Sequence, residues 1–249
     1  MRSYNAWRRR RILRRYPVAD STWAKAYRKL PLLAQLTAEE DQRLRELAVL
    51  LMHEKSFEGA RGFQITEDHC VLIALQAGLP ILNLGLDWYA GWISIIVYPT
   101  AFLVEREEQD RIGVVHQIRR PLCGESWLRG PVILAWPHVE AAGVIDGHNL
   151  VIHEFVHKLD MLDGAANGIP PLHRGMHADS WTRAFSAAFE DLRSQAERGD
   201  ATVIDAYAAE SPAEFFAVVS EVFFEQPQVL RQAYPEVYTQ LSAFYRPMV

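Results

Sequence analysis

Cysteine is almost missing from this chain. Only Cys70 and Cys123 occur in 249 residues, and they form no CxxC pair. That excludes a disulfide framework and a cysteine-based zinc site, and it fits a reducing, cytoplasmic setting. Long apolar runs are missing too. The run VLIALQAGLPIL at 71–82 is too short to span a bilayer and is interrupted by Gly78 and Pro80, so neither a transmembrane helix nor a membrane partner is expected. Glycine is sparse, at 14 residues, there is no internal repeat or low-complexity tract after the N-terminal region, and about half the residues are apolar. A folded globular chain is expected, with disorder only at its ends.

Acidic residues are scarce in one place. Residues 1–30 hold ten Lys/Arg against the single acid Asp20, a charge of +9, while the rest of the chain carries −14 and the total is −5. The run WRRRRILRR at 7–15 is followed by YPVADSTWAKAY, where a signal peptide would need an apolar stretch, so no secretory signal is expected. The segment reads as a basic arm over 1–30, solvated and partly helical. Contact with an acidic partner or with phosphates is its alternative role. Arginines without a reading fold make direct nucleic-acid binding an unexpected function.

What is present is a change of pattern along the chain. TAEEDQRLRELAVLLMHEKSF opens with a Thr37–Glu40 capping box and repeats leucine at helical spacing, and a second helix is predicted from Thr66 to about Gly78. WISIIVYP, IGVVHQI and GPVILAW, within 92–136, are β-branched runs bounded by Pro or Gly and predict a small sheet. From Asp146 the pattern is helical again, with helices predicted to about Asp163–Gly164, over Asp179–Gly199 and Ser211–Glu225, and before Arg246. The fold class is α+β, mainly helical around a small central sheet, with one domain over 31–249.

One stretch carries chemistry. VIHEFVHKLD at 151–160 places His153 and His157 four apart with Glu154 after the first. On a helix, residues four apart differ by about 40° and about 6 Å, so both rings can face one ion, while Glu154 points about 100° aside. Two imidazoles for Zn²⁺ and a carboxylate for the proton of its water need this spacing. The surrounding Ile152, Phe155, Val156 and Leu159 predict a buried helix. Two partnerless imidazoles there would be costly, and a metal removes that cost.

A catalytic zinc takes a third protein ligand and keeps one open position. Asp160 lies about 10 Å along the axis from His153, too far to share the ion, and reads as a supporting or a surface carboxylate. Glu214 and Glu221 remain. In SPAE at 211–214, Glu214 could instead close a capping box on Ser211, and Glu221 lies two turns later on the same face, so spacing alone leaves both open. A structural zinc would need a fourth ligand, for which His148 and His173 are the spare histidines.

NLVIHEFVHKLD, followed by IDAYAAESPAEFFAVVSEVFF, resembles the Mlc titration factor A family of bacterial cytosolic zinc peptidases. LPILNLGLDWYAGWISIIVYPTAFLV and GESWLRGPVILAW extend the likeness over nearly the whole chain after the basic arm. The family is similar in fold to the catalytic domain of anthrax lethal factor, which implies a zincin-like metallopeptidase. There the third ligand is a glutamate on a later helix, with a tyrosine seven residues before it facing the metal. Tyr207 precedes Glu214 by seven, so the resemblance implies Glu214 as ligand with His153 and His157, Glu154 and Tyr207 as the catalytic pair, and Glu221 as a supporting carboxylate. It further implies one Zn²⁺ per chain, peptide substrates of the aminopeptidase type, and a transcriptional repressor, Mlc-like, as partner. A non-catalytic repressor-sequestering protein is the alternative. The strand PVILAW is expected to pair with an extended peptide.

Overall fold

The structure is a computed structural model that describes residues 2–109, 115–122, 124–126 and 130–246. The arginine-rich segment forms α1 (Arg2–Arg15) and α2 (Asp20–Lys29). These helices pack on the body: Ile12, Trp23, Ala26 and Leu30 are buried, and Arg9 pairs with Asp87 at 2.8 Å. Next comes α3 (Ala38–Glu54), begun by the expected box, in which Glu40 N donates to Thr37 Oγ1 at 3.2 Å and Thr37 N to Glu40 Oε2 at 3.0 Å. The predicted helix ran on to Phe57. The chain instead leaves it at Lys55 and enters β1 (Ser56–Gly59), and α4 (Glu67–Gly78) follows with Thr66 as its N-cap.

The predicted sheet divides in two. β2 (Ser94–Tyr98) is followed by β3 (Phe102–Gln109) and β4 (Val115–Leu122), which pair antiparallel with each other as a separate ribbon, and then by β5 (Gly124–Ser126) and β6 (Val132–Ala135). IGVVHQI therefore belongs to the ribbon, and its first three residues lie outside those described. The main sheet has the order β1-β2-β6-β5: the first three strands are parallel and β5 runs antiparallel to β6 with Gly124 opposite Leu134. PVILAW is thus an inner strand with both neighbours in place, and among the described residues the sheet edge beside it belongs to β5. This corrects the expectation that PVILAW pairs with a peptide, because its hydrogen-bonding groups are already used by β2 and β5.

α5 (Trp136–Ala141) leads to α6 (Leu150–Asp160), and α7 (Ala178–Glu197), α8 (Pro212–Glu225), α9 (Pro227–Ala233) and α10 (Pro235–Tyr245) complete the chain. Every residue of α6 after Leu150 is buried, with β5, β6 and α4 on one side and α8 on the other. α8 is apolar enough to be buried on most faces, which brings its few carboxylates against α6 instead of solvent. The protein is thus α+β, mainly helical around a small sheet, and its central helix carries the histidine pair. Among the described residues no helix is long and apolar enough to cross a membrane.

Candidate metal centre

α6 starts where Asn149, an extended N-cap, accepts Ile152 N at 3.0 Å. One turn later the rings of His153 and His157 lie with their Nε2 atoms 3.1 Å apart. Glu214 comes to them from the first turn of α8. There Ser211 is extended, as a residue before proline must be, and its Oγ accepts Glu214 N at 3.2 Å. Only half of a capping box forms. The Glu214 side chain turns to the histidines, with Oε2 at 3.0 Å from His153 Nε2 and 3.4 Å from His157 Nε2.

These three atoms form a triangle with sides of 3.0, 3.1 and 3.4 Å. Ligands about 2.0–2.1 Å from a tetrahedral zinc stand about 3.3 Å from each other, so the triangle has the size of one face of such a site. Its chemistry agrees. Glu221 Oε1 lies 2.7 Å from His153 Nδ1; a carboxylate only accepts, so Nδ1 carries the proton and Nε2 of the neutral ring presents a lone pair to the centre. Lone pairs facing each other at these distances need a proton or a metal ion between them. Burial lowers the pKa of His153, yet the carboxylates of Glu221 and Glu214 more than offset this and hold it well above the usual value. Burial likewise raises Glu214, but hydrogen bonds and charge from both histidines leave it well below the ordinary carboxylate range. Both shifts express attraction between these carboxylates and positive charge at the rings, where a proton takes the place a bound cation would have. His153, His157 and Glu214 are also the one cluster of metal-ligand type among the described residues.

Glu154 lies beside this triangle and is only 4% exposed. Its Oε2 has no hydrogen-bond partner among the described residues, and neither has Nδ1 of His157. Burial raises the Glu154 pKa, against the pull of His153 and His157. A carboxyl group poised in this way suits proton transfer. Tyr207, in a short 3-10 turn over Ala206–Ala209, is 42% exposed and its ring centre is 6.1 Å from that of His153. Burial, then the charges of Glu214 and Glu210, push its pKa up, so it stays a hydroxyl donor. A cleft of 480 Å³ joins these groups, with Gly124, His148, His153, Glu154, Asp205 and Tyr207 on its walls.

The remaining candidates lie elsewhere. Asp160 is fully buried, which excludes a surface role, and it accepts Gly168 N through both oxygens at 3.1 and 2.8 Å, fixing the loop after α6. His173 Nε2 bonds the Phe244 carbonyl at 2.9 Å, away from the triangle. Three polar partners were missed in the sequence. Asn149 N donates to Glu221, while Asn149 Nδ2 and Gly147 N donate to Glu225 at 3.1 and 3.0 Å, so α8 grips the start of α6. The Asn149 N-cap before an apolar run was a legible signal; Glu225, one turn after Glu221, was a weaker one. Gly124 gave no signal at all. A Cβ there would stand 2.3 Å from Glu154 Oε1 and 2.6 Å from Leu150 Cδ1, so this edge strand leaves room for the carboxylate by having no side chain.

A donor set of two imidazoles and a carboxylate, on a mainly helical α+β frame, is that of a zincin-like metallopeptidase. The model of the glucose-regulated metallo-peptidase M90 family matches residues 4–246, and the chain belongs to that family. Membership implies a bound metal. Relatives named Mlc titration factor A include one from Serratia proteamaculans (strain 568), 41% identical over 220 residues that cover 87% of this chain and 84% of the relative. One from Salmonella arizonae is 39% identical over 233 residues, 92% and 91% of the two chains, and one from Yersinia enterocolitica is 37% identical over 227 residues, 90% and 84%.

Proposed function

We propose that the protein is a cytoplasmic zinc-dependent peptidase of the aminopeptidase type. Its catalytic domain is 31–249, with α1 and α2 as a basic arm packed onto it. The observation that carries this reading is the ligand-sized triangle of His153, His157 and Glu214 beside the buried carboxylate of Glu154, whose Oε2 has no hydrogen-bond partner among the described residues. His153, His157 and Glu214 would hold one Zn²⁺, with Glu221 fixing the His153 ring through Nδ1. Zinc, when bound, supplies Lewis acidity that lowers the pKa of water toward about 7 and polarises a carbonyl. Glu154 takes the proton of the attacking water and passes it to the leaving amine, a cycle suited to its raised pKa. Tyr207 hydrogen-bonds the oxygen on which charge develops. The sheet edge at β5, next to Glu154, offers backbone groups to an extended peptide.

The relatives' name, Mlc titration factor A, supports a second role, the binding of an Mlc-like repressor. Metal analysis of protein purified without added zinc, with a peptidase assay in the presence and absence of chelator, tests the first role. About one zinc per chain and chelator-sensitive hydrolysis are expected. Metal-free protein with undiminished hydrolysis would refute it. A pull-down with Glu154→Gln separates the roles, since repressor binding should survive the loss of hydrolysis.

A further inference from the structure

Two short stretches repeat each other at the cleft. Val144-Ile145-Asp146-Gly147-His148 precedes α6, and Val203-Ile204-Asp205-Ala206-Tyr207 precedes α8. In each, Oδ1 of the aspartate accepts the backbone N–H two residues on, from His148 at 3.0 Å and from Tyr207 at 2.9 Å. Such a turn fixes the backbone from which the next side chain leaves, and both His148 and Tyr207 line the cavity that holds His153 and Glu154. The turns also meet, since Asp205 Oδ2 lies 3.6 Å from His148 Nδ1.

Both turns are anchored from behind. Gly147 N donates to Glu225 at 3.0 Å and Gln226 Nε2 to the Ile145 carbonyl at 3.0 Å, while Ile204 is buried. Outside, Val144, Ile145 and Val203 are 59%, 43% and 73% exposed. Exposed aliphatic side chains in the same short stretches as cavity-lining His148 and Tyr207 offer apolar surface for a ligand to cover. Among the described residues no lysine or arginine lines the cavity, and Asp146 and Asp205 are engaged by the backbone of their own turns, so donor groups for a ligand on the two turns come from His148 and Tyr207.

We propose that the two turns are a clamp for an extended peptide with aliphatic side chains. His148 contacts a peptide group of the substrate opposite Tyr207, and Asp205 is the positioning residue shared by both. The inference rests on the peptidase reading above and adds residues and a substrate class to it. With Nδ1 turned to Asp205, Nε2 of His148 is the atom left for the substrate. Asp146, Asp205, Glu154, Glu221, His138 and Tyr207 are the titratable groups that share its cavity.

The test compares wild type with His148→Ala, His148→Gln, Asp205→Asn and Val203→Ser on two peptides that differ only in Leu or Ser beside the scissile bond. Zinc content should be unchanged in all of them. His148→Ala should lower kcat/KM by roughly three- to tenfold on both peptides, the scale of one uncharged hydrogen bond. His148→Gln should recover part of it, because the amide also donates and accepts. Asp205→Asn keeps an acceptor for Tyr207 N but loses the charge beside His148, and should cost less than His148→Ala. Val203→Ser should raise KM for the Leu peptide alone. In a Glu154→Gln background, His148→Ala should weaken binding of the Leu peptide by a similar factor, a readout independent of turnover. Wild-type kinetics and unchanged peptide binding in His148→Ala and Val203→Ser overturn the clamp and leave the peptidase reading standing. A zinc-loaded wild type that cleaves neither peptide overturns that reading and the clamp with it.

Discussion

Glu221 and His153 are joined at 2.7 Å, Oε1 to Nδ1, across the interface of α8 and α6. The same carboxylate accepts Asn149 N at the start of α6 through its other oxygen. One side chain therefore sets both the ring's tautomer and the place of the helix that carries it. Glu221→Gln can no longer force the proton onto Nδ1. Zinc should stay bound with affinity and turnover reduced by roughly ten- to a hundredfold, as read by chelator competition beside initial rates. Complete loss of zinc would make Glu221 a ligand instead.

Glu214→Gln should release the metal. The cap at Ser211 uses the backbone N–H of residue 214, which the substitution leaves intact. The cap is therefore kept, and any fall in the stability of the metal-free form reports the lost contacts of Glu214 with His153 and His157. Zinc content is the measurement that separates ligand from cap. Retained zinc would return Glu214 to a purely local role.

Glu154→Gln keeps shape and ligands, so zinc should remain while turnover falls by roughly 10²–10⁴. Full activity in this variant would assign the proton transfer to another group.

Tyr207→Phe should fold and bind zinc like the wild type, since the ring is half-exposed and its backbone N–H is held by Asp205. Turnover should drop by roughly 10²–10³, the worth of one donor to a developing oxyanion. A variant with altered zinc content and unaltered turnover would remove Tyr207 from the chemistry.

Glu225 provides a test by pH. Burial raises its carboxyl from 4.5 to about 7, in spite of the bonds from Asn149 and Gly147. Between those values the folded protein holds a proton that the unfolded chain has released, so this group's contribution to stability declines as pH rises from 4.5 to about 7. Glu225→Gln should flatten that part of the stability–pH curve, measured by denaturant melts of the apo protein. An unchanged slope would place the titration elsewhere.

Much of this architecture could be read in advance because it is written locally. Thr37 with Glu40, and Thr66 before its apolar run, announce helices through backbone chemistry that needs no distant partner. His153 and His157 do so too, because four residues on a helix fix a direction. Strand pairing could not be read that way. IGVVHQI and PVILAW look alike, yet one joins a ribbon and the other the centre of the sheet, since a strand's neighbours are chosen across the chain. Glu214 and Glu221 were likewise equivalent by spacing on one helix face. What separates them is the height of α8 against α6, with Glu221 and Glu225 tied to the residues before the first turn of α6 and Glu214 left opposite Nε2.

The missing side chain at Gly124 sets a clearance. A methyl group there would collide with both Glu154 and Leu150, so β5 lies closer to these side chains of α6 than a residue with a Cβ could, and Ser126 Oγ ties it there by donating to the Glu154 carbonyl at 2.7 Å. The gap between strand and helix is thereby gauged from both sides, by contact and by tether. A chain laid along the outer edge of that strand would take its elevation above the Glu154 carboxylate from the gauge, whatever side chains it carried. Replacing Gly124 by alanine would change no charge and no polar group, and would still move the working surface.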